Sequence, residues 1–181
     1  MQTSNTLRLC SWSGPRNVST ALMYSFGNRK DTVAVDEPFY AHYLRVSDAD
    51  HPGKAEIIAS MAPYAERVVS DVIFGDYEAS IVFFKSMTHH LVEMDWAFLP
   101  QIKNILLIRD PIEMLPSYAK VIPEPTLRDT GYKKQVELFE YLRQAGQTPP
   151  IIDSRLVLLN PHGVLEQLCE QLDIGFDKGM L

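Results

Sequence analysis

The N-terminal part of the chain contains an apolar run that leads through a short Gly-Pro turn into a helix start. Residues 7–12 are apolar enough for a buried strand, and Ser19 and Thr20 open a helical run after the turn. A strand–loop–helix junction directs backbone N–H groups and the positive end of a helix dipole at one point, where phosphate commonly binds. Arg16 adds a permanent cation whose planar fork suits oxyanions. The stretch therefore predicts an anion site, and an ordinary turn with a hydroxyl cap is the alternative.

The loop between this strand and this helix lacks the lysine of a standard Walker A motif. That motif places Gly-Lys before the Ser/Thr, whereas Asn17 and Val18 precede Ser19 here. A phosphotransferase of the P-loop type would also need Mg²⁺ and an acidic residue after an apolar strand, for which Asp110 and Asp153 are the candidates. The missing lysine counts against this function. We therefore expect the loop to hold an anion but to handle it differently from a kinase.

Length, charge and cysteine content limit the classes of protein to which the chain can belong. The 181 residues fit one domain, residues 1–181, and the net charge of −6 disfavours a nucleic-acid-binding protein. Cys10 and Cys169 have neither metal-ligand spacing nor the number of a disulfide framework. The polar N-terminus shows no signal peptide, and no apolar run is long enough to span a membrane. We therefore expect a cytoplasmic protein without nucleic-acid or membrane partners.

Apolar and amphipathic segments alternate along the chain, which predicts an α/β fold with a central, mainly parallel sheet. The clearest strand is Lys103–Ile108, whose apolar run is typical of a central parallel strand. The other expected strands span residues 7–12, 32–35, 80–85 and 151–153. Helices are expected at residues 19–28, 54–62, 64–74, 88–98, 110–121, 132–144 and 161–172. The helix at 132–144 is expected to bury Val136, Phe139 and Leu142, and residues 47–53 to form a loop.

Polar side chains fall at the carboxyl ends of several expected strands, where a doubly wound sheet binds its ligands. These side chains are Arg16, Glu37, Lys85, His89, His90, Arg109 and Asp110. Arg109 closes the central strand, and Ser117 lies about two turns into the helix that follows. Asp110 and Pro111 form a strong start for that helix. Arg109 and Ser117 are therefore expected to face one anion, and a surface ion pair with a solvent-facing serine is the alternative.

The two segments together resemble sulfotransferases that use 3′-phosphoadenosine 5′-phosphosulfate, and the pattern is closest to their bacterial and carbohydrate-type members. The first family motif, Pro-Lys/Arg-Ser-Gly-Thr/Ser-Thr, reads PRNVST at residues 15–20. The second, an Arg after a central strand followed by Pro and then Ser-Tyr, reads RDPIEMLPSY at residues 109–118. Residues 37–39 and the late helix at 160–174 match more loosely. The resemblance implies a P-loop NTPase-like three-layer sandwich that transfers a sulfuryl group to a hydroxyl or amine.

The resemblance also implies roles for individual residues. The 5′-phosphosulfate would be held by the loop residues Arg16, Asn17, Val18, Ser19 and Thr20. Arg109 and Ser117 would hold the 3′-phosphate, and Arg16 would stabilise the charge that grows on the bridging oxygen. Glu37 is favoured as the general base, and His89 or His90 is the alternative.

The resemblance implies no metal, and its acceptor would be a small molecule or a carbohydrate. Residues 41–63 and 122–131 are the expected acceptor loops. Four aromatic residues would suit a partly apolar or sugar-like acceptor: Phe39, Tyr40, Tyr43 and Trp96. Aromatic side chains are more often part of the core, so their exposure decides between the two roles.

Three departures from the family pattern concern the donor site. Asn17 and Val18 replace Ser-Gly, so we expect a loop of different shape, because Val18 lacks the conformational freedom of glycine. Pro116 should kink the helix before Ser117. The chain ends without the basic, Gly-containing segment that closes over the adenosine, which indicates a short form or a fragment. A nucleotide-binding module without catalysis is therefore an alternative function, beside the P-loop-type phosphotransferase.

Overall fold

A five-stranded parallel sheet lies at the centre of the structure, a computed structural model that describes residues 6–47, 49 and 51–181. The strands are β1 (Leu7–Ser13), β2 (Thr32–Asp36), β3 (Ile81–Met87), β4 (Lys103–Ile108) and β5 (Ile151–Asp153). They pair in the order β2-β3-β1-β4-β5, and every neighbouring pair is parallel. The predicted α/β fold with a parallel central sheet is confirmed. The polar N-terminus up to residue 5, and Asp48 and Asp50 of the predicted loop, lie outside the described residues.

Nine α-helices connect and cover the strands within the described residues. They are α1 (Ser19–Gly27), α2 (Tyr40–Val46), α3 (Lys54–Ser60), α4 (Ala65–Arg67), α5 (Pro111–Tyr118), α6 (Leu127–Thr130), α7 (Tyr132–Gln144), α8 (Ser154–Leu159) and α9 (Pro161–Gln171). Helix α4 continues as a π-helical stretch, Val68–Ile73. Short 3₁₀ turns occur at Thr88–His90, Leu99–Gln101 and Lys178–Met180.

Each face of the sheet has its own hydrophobic core, because successive side chains of a strand point to opposite faces. On one face, Leu9 of β1 and Phe83 of β3 pack with apolar residues of α1, α8 and α9. On the other face, Cys10 and Phe84 pack with residues of the π-helical stretch and α7. Both faces are covered, which explains why β3 and β4 carry nearly continuous apolar runs. The carboxyl ends of β1 and β4 remain available to the loops that follow them.

The predicted helix at residues 88–98 is wrong. Only Thr88–His90 is helical, as one 3₁₀ turn, and Glu93 has a positive φ of 45° that a helix does not allow. The carbonyl of Val92 lies 2.8 Å from His42 Nε2, and the carboxylate of Asp95 accepts the N–H of Ala97. Long-range contacts therefore fix this segment as a loop, although its apolar residues are spaced as in a helix.

The buried face predicted for α7 is also partly wrong. Gln135, Leu138 and Leu142 are buried, whereas Val136 is 57% exposed. The amide of Gln135 donates hydrogen bonds to the Leu107 and Trp12 carbonyls, at 3.0 and 3.4 Å, so the helix turns this polar residue toward the sheet. Helix α5 continues through Pro116 but ends at Tyr118, short of the predicted residue 121.

Candidate active site

The loop after β1 packs tightly against the corner between α6 and α7. A Cβ atom on Gly14 would lie 2.6 Å from the Thr130 carbonyl oxygen, which leaves room only for glycine. Gly131 has a φ of 73°, and a Cβ atom there would lie 3.7 Å from the Gly14 Cα atom. On the other side, the Thr88 hydroxyl donates to the Ser13 carbonyl at 2.7 Å. The loop therefore touches both the α6–α7 corner and the 3₁₀ turn after β3.

Arg16 is the centre of the contacts that the loop makes. Its φ of 54° is unusual for a residue with a side chain, and such backbone strain concentrates at functional sites. Its carbonyl accepts a hydrogen bond from Arg109 Nη1 at 2.6 Å, and its own Nε donates to Ser117 Oγ at 3.0 Å. Two segments that are about a hundred residues apart therefore meet at Arg16.

Helix α5 places Ser117 opposite the loop. Asp110 caps this helix by accepting the Ile112 N–H at 2.8 Å, and Pro111 occupies its first turn. Arg109, at the end of β4, has its carbonyl fixed by the Tyr132 hydroxyl at 2.7 Å. Its guanidinium Nε lies 3.8 Å from Glu113, which is too long for a hydrogen bond. The guanidinium thus keeps donors for a ligand.

Helix α1 starts at the loop without a side-chain cap. Val18 is its N-cap residue, and the first turn carries no acidic side chain. The first N–H groups of a helix have no partner within it, so they are open to an anion. Val18 has an ordinary φ of −83°, because the positive φ of this loop falls on Arg16 instead. Ser19 and Thr20 are the first two residues of α1, so both hydroxyls lie at this helix end; Ser19 is buried and Thr20 is exposed.

Asn17, between Arg16 and Val18, ties the loop to the neighbouring strand. Its amide nitrogen donates to the Leu107 carbonyl of β4 at 3.2 Å. Its side-chain oxygen is buried and has no hydrogen-bond partner within the described residues. A buried acceptor without a partner is unusual in a folded protein. It is a second sign that the loop is shaped for something that it binds.

Buried Lys85 forms ion pairs with exposed Asp36 and partly buried Glu37 at the ends of β3 and β2. The Lys85 side chain is 7% exposed, and its Nζ donates to Asp36 at 2.9 Å and to Glu37 at 2.5 Å. Burial lowers the pKa of Lys85, but the hydrogen bonds and charges of the two carboxylates outweigh burial, and the net shift raises it. Glu37 has a φ of 41°, and its N–H donates to the Lys85 carbonyl at 2.8 Å. The carboxylate favoured as the base is therefore held by a lysine.

A cavity of about 420 Å³, which we call the tyrosine pocket, lies beside the loop. Its lining includes Tyr40, Tyr43, His89, Tyr118, Arg128 and Asp129. The predicted acceptor loops, residues 41–63 and 122–131, both contribute to these walls. Two pocket residues are chain neighbours of residues that contact β1 and its loop. His89 follows Thr88, which bonds to Ser13, and Tyr118 follows Ser117, which bonds to Arg16. The volume suits a small molecule.

Burial keeps two neighbouring histidines neutral at physiological pH, and one of them, His89, lines the tyrosine pocket. Burial lowers the pKa of His89 to about 4, and it lowers the pKa of His90 well below its usual value. His90 is stacked between Tyr40 and Tyr43, with ring centroids 5.2 and 4.7 Å away. The Nδ1 atoms of His89 and His90 are buried without a hydrogen-bond partner. A neutral imidazole with a free nitrogen is able to accept a proton.

The aromatic residues named from the sequence separate into two groups. Phe39 is fully buried and packs against Trp12 and Phe98. Tyr40 and Tyr43 line the tyrosine pocket, and Trp96 lines a second cavity of about 740 Å³. Tyr118, Arg128 and Asp129 are pocket residues that the sequence analysis missed. The Ser-Tyr pair of the second motif was a signal for Tyr118, whereas Arg128 and Asp129 lie in the expected acceptor loop at residues 122–131 but were not singled out in it.

Two features are absent from the described part of the chain. No three His, Cys, Asp or Glu side chains come close enough there to hold a metal ion. None of its helices has the length and apolar character needed to cross a membrane. Cys10 and Cys169 are buried free thiols, and burial raises the pKa of both.

Residues 7–181 match the family described as "Sulfotransferase domain". The chain therefore belongs to this family. It is 37% identical over 172 residues to "Branched-chain-amino-acid aminotransferase-like protein 1" of Arabidopsis thaliana, and 36% identical to protein 2 of the same name. Each match covers 94% of this chain and 31% of the relative. The chain thus spans about a third of the length of these curated relatives.

Solved structures share the fold. The sulfotransferase domain from the Synechococcus PCC 7002 olefin synthase superposes with a TM-score of 0.61 at 17% identity, covering 100% of this chain and 78% of that domain. The sulfotransferase domain from the curacin biosynthetic pathway gives a TM-score of 0.59 at 16% identity, with 97% and 77% covered. A sulfotransferase from Alicyclobacillus acidocaldarius gives 0.57 at 12% identity, with 93% and 81% covered. The expected family and fold are both confirmed.

Proposed function

We propose that the protein transfers a sulfuryl group from 3′-phosphoadenosine 5′-phosphosulfate to a hydroxyl or amine of a small acceptor. One observation carries the proposal: Arg16, Arg109 and Ser117 meet at the uncapped start of α1. Two permanent cations, a hydroxyl and the positive end of a helix dipole thus converge on one place. Such a group of donors suits a ligand with more than one anionic group.

The donor residues fall on two separate elements, which fits the two anionic ends of this donor. The loop from Arg16 to Thr20 would hold the 5′-phosphosulfate with backbone N–H groups and the hydroxyls of Ser19 and Thr20. Arg109 and Ser117 would hold the 3′-phosphate. The first turn of α1 carries no acidic side chain, and the nearest carboxylate to Arg109 stands 3.8 Å away. The residues present therefore fit a polyanionic nucleotide.

Arg16 has the position and the charge to assist the transfer step. The donor supplies an activated sulfuryl group, and its leaving oxygen gains negative charge as the S–O bond breaks. A guanidinium that is preorganised by hydrogen bonds stabilises such charge without reorganising during the reaction. The hydrogen bonds from Arg109 and to Ser117 restrict Arg16 in this way, at 2.6 and 3.0 Å. We assign to Arg16 the stabilisation of the leaving group.

Of the two candidate bases, we assign proton removal to His89. The neutral imidazole of His89 lines the tyrosine pocket, where it can take a proton from a bound acceptor. The Glu37 carboxylate instead accepts a hydrogen bond from buried Lys85. We assign to Glu37 the positioning of Lys85 and of the β2 end. The acceptor hydroxyl or amine would give its proton to His89 as its oxygen or nitrogen attacks the sulfur.

Calorimetric titration tests the donor site directly. Wild type is titrated with adenosine 3′,5′-bisphosphate, AMP and Mg-ATP, and Arg109→Ala is titrated beside an Arg155→Ala control. We expect the bisphosphate to bind most tightly, and Arg109→Ala to lose it while the control retains it. A preference for Mg-ATP would support the phosphotransferase alternative and contradict the proposal. Binding of the bisphosphate without transfer to any acceptor would support the non-catalytic module.

A further inference from the structure

The tyrosine pocket contains a cation that no carboxylate of the described chain neutralises. Arg128 is exposed on α6 and lines the pocket. Among the described residues, none of the ion pairs involves its guanidinium. The net charge of the protein is −6, and Arg128, which also lines the second cavity, adds positive charge to the wall of the pocket. It creates a local site for an anion on an otherwise acidic protein.

Asp129, the acidic neighbour of Arg128, is engaged elsewhere. Its carboxylate accepts the Thr126 N–H at 2.8 Å and the Thr126 hydroxyl at 2.7 Å. The first of these bonds belongs to the capping box of α6, and both hold the carboxylate at the helix start. Arg128 thus keeps its donors free to pair with a group that enters the pocket.

The rest of the pocket suits a ring-shaped body with a polar substituent. Tyr40, Tyr43 and Tyr118 provide aromatic walls. The pKa of Tyr118 is raised to about 12, chiefly by burial, so its phenol remains uncharged. The imidazole rings of His51 and His89 complete the lining and add polar character to it.

We propose that the acceptor is a hydroxylated ring compound carrying an acidic group, and that Arg128 binds this group. This inference rests on the proposed function, because it names the acceptor of the same reaction. The ring lies among the tyrosines, the hydroxyl faces His89, and the acid pairs with Arg128. The transfer itself is unchanged: the hydroxyl oxygen forms the new bond to sulfur, its proton passes to His89, and the bisphosphate leaves. Arg128 is a specificity residue and takes no part in the chemical step.

A matched pair of small probes tests this inference by binding. The acid is para-hydroxyphenylpropanoate, and the control is its neutral amide. Both are titrated into wild type, Arg128→Gln and Arg155→Gln, with and without saturating adenosine 3′,5′-bisphosphate. Arg155 is an exposed arginine on α8 that lies outside the tyrosine pocket, so its substitution removes the same charge elsewhere.

We expect wild type to bind the acid about tenfold more tightly than the amide, as a hydrogen-bonded ion pair provides. The preference should vanish in Arg128→Gln and persist in Arg155→Gln. Equal binding of acid and amide by wild type, no binding of the acid, or a preference that survives in Arg128→Gln would each overturn the inference. Titration of the same samples with the bisphosphate separates the two proposals. If the bisphosphate does not bind but the preference for the acid persists, the donor site is excluded and the acid site is still supported.

Discussion

The donor side of the site, residues 16–20 with Arg109 and Ser117, follows strands β1 and β4 directly. The acceptor side, the tyrosine pocket, instead combines α2, a 3₁₀ turn, the end of α5 and the short helix α6. The first side carries two arginines, whereas the tyrosine pocket combines tyrosines and the neutral His89 with one arginine, Arg128. Under the proposed function, the first side would bind a fixed polyanion, and the tyrosine pocket would bind the acceptor and take its proton.

The largest expected effect separates the two candidate bases on the acceptor side. His89→Gln should lower kcat by about 10²–10⁴-fold, because general base catalysis contributes that much. Glu37→Gln should lower it far less, since the carboxylate serves Lys85 and Asp36 remains as its partner. Transfer rates at saturating donor measure both. A greater loss in Glu37→Gln than in His89→Gln would return the role of base to Glu37.

On the donor side, Arg16→Ala should lower the transfer rate by about 10²–10³-fold, as loss of a preorganised donor to a developing oxyanion does. Single-turnover transfer from the saturated donor complex measures this effect apart from donor affinity. Arg155→Ala provides a control with the same change of charge, and it should transfer at the wild-type rate. An Arg16→Ala protein that matched the control would exclude the assigned role.

The neutral histidines should make folding stability depend on pH. The unfolded chain protonates His89 near its ordinary pKa of 6.5, whereas the folded protein does so at about 4. The unfolded state therefore binds more protons between these values, so stability is greatest above pH 6.5 and falls as the pH drops toward 4. The shift corresponds to a loss of roughly 3 kcal/mol, and His90 acts in the same direction. Urea denaturation between pH 4 and 6.5 measures the free energy of unfolding, which should depend less on pH in His89→Gln than in wild type. An unchanged pH dependence would contradict the lowered pKa of His89.

The smallest effect concerns the contact that joins the two sides. Gly14→Ala places a Cβ atom 2.6 Å from the Thr130 carbonyl, so the α6–α7 corner must move. We expect a cost of about 1–3 kcal/mol, together with weaker acceptor binding. Gly175→Ala is the control, because neither glycine has a positive φ and a Cβ atom on Gly175 would meet nothing within 4 Å. Denaturation midpoints measure the loss of stability in each variant. Equal losses would mean that the structure around Gly14 accommodates the added Cβ atom without a cost.

Features that depend on local sequence were predictable, whereas features that depend on packing between distant segments were not. The bounds of β4, β5 and α7 were predicted to the residue, because apolar runs and periodicity are local signals. The meeting of Arg16 with Arg109 was expected, because both follow strands of a parallel sheet, whereas the hydrogen bond from Arg16 to Ser117 was not. Arg128 lies in the expected acceptor loop at 122–131, but no motif singled it out, because its place in the pocket depends on the packing of α6 against the loop. The segment at 88–98 failed for a similar reason: contacts from His42 and a positive φ at Glu93 override its helical spacing.

The most direct test of the division into two sides is the affinity for adenosine 3′,5′-bisphosphate in two variants. Calorimetry is done on Arg109→Ala and His89→Gln in parallel, at a pH where both are folded. The account predicts that Arg109→Ala weakens binding about 10–100-fold, as loss of a charge-assisted hydrogen bond does, while His89→Gln stays within about twofold of wild type. Equal losses in both variants, or none in Arg109→Ala, would contradict it.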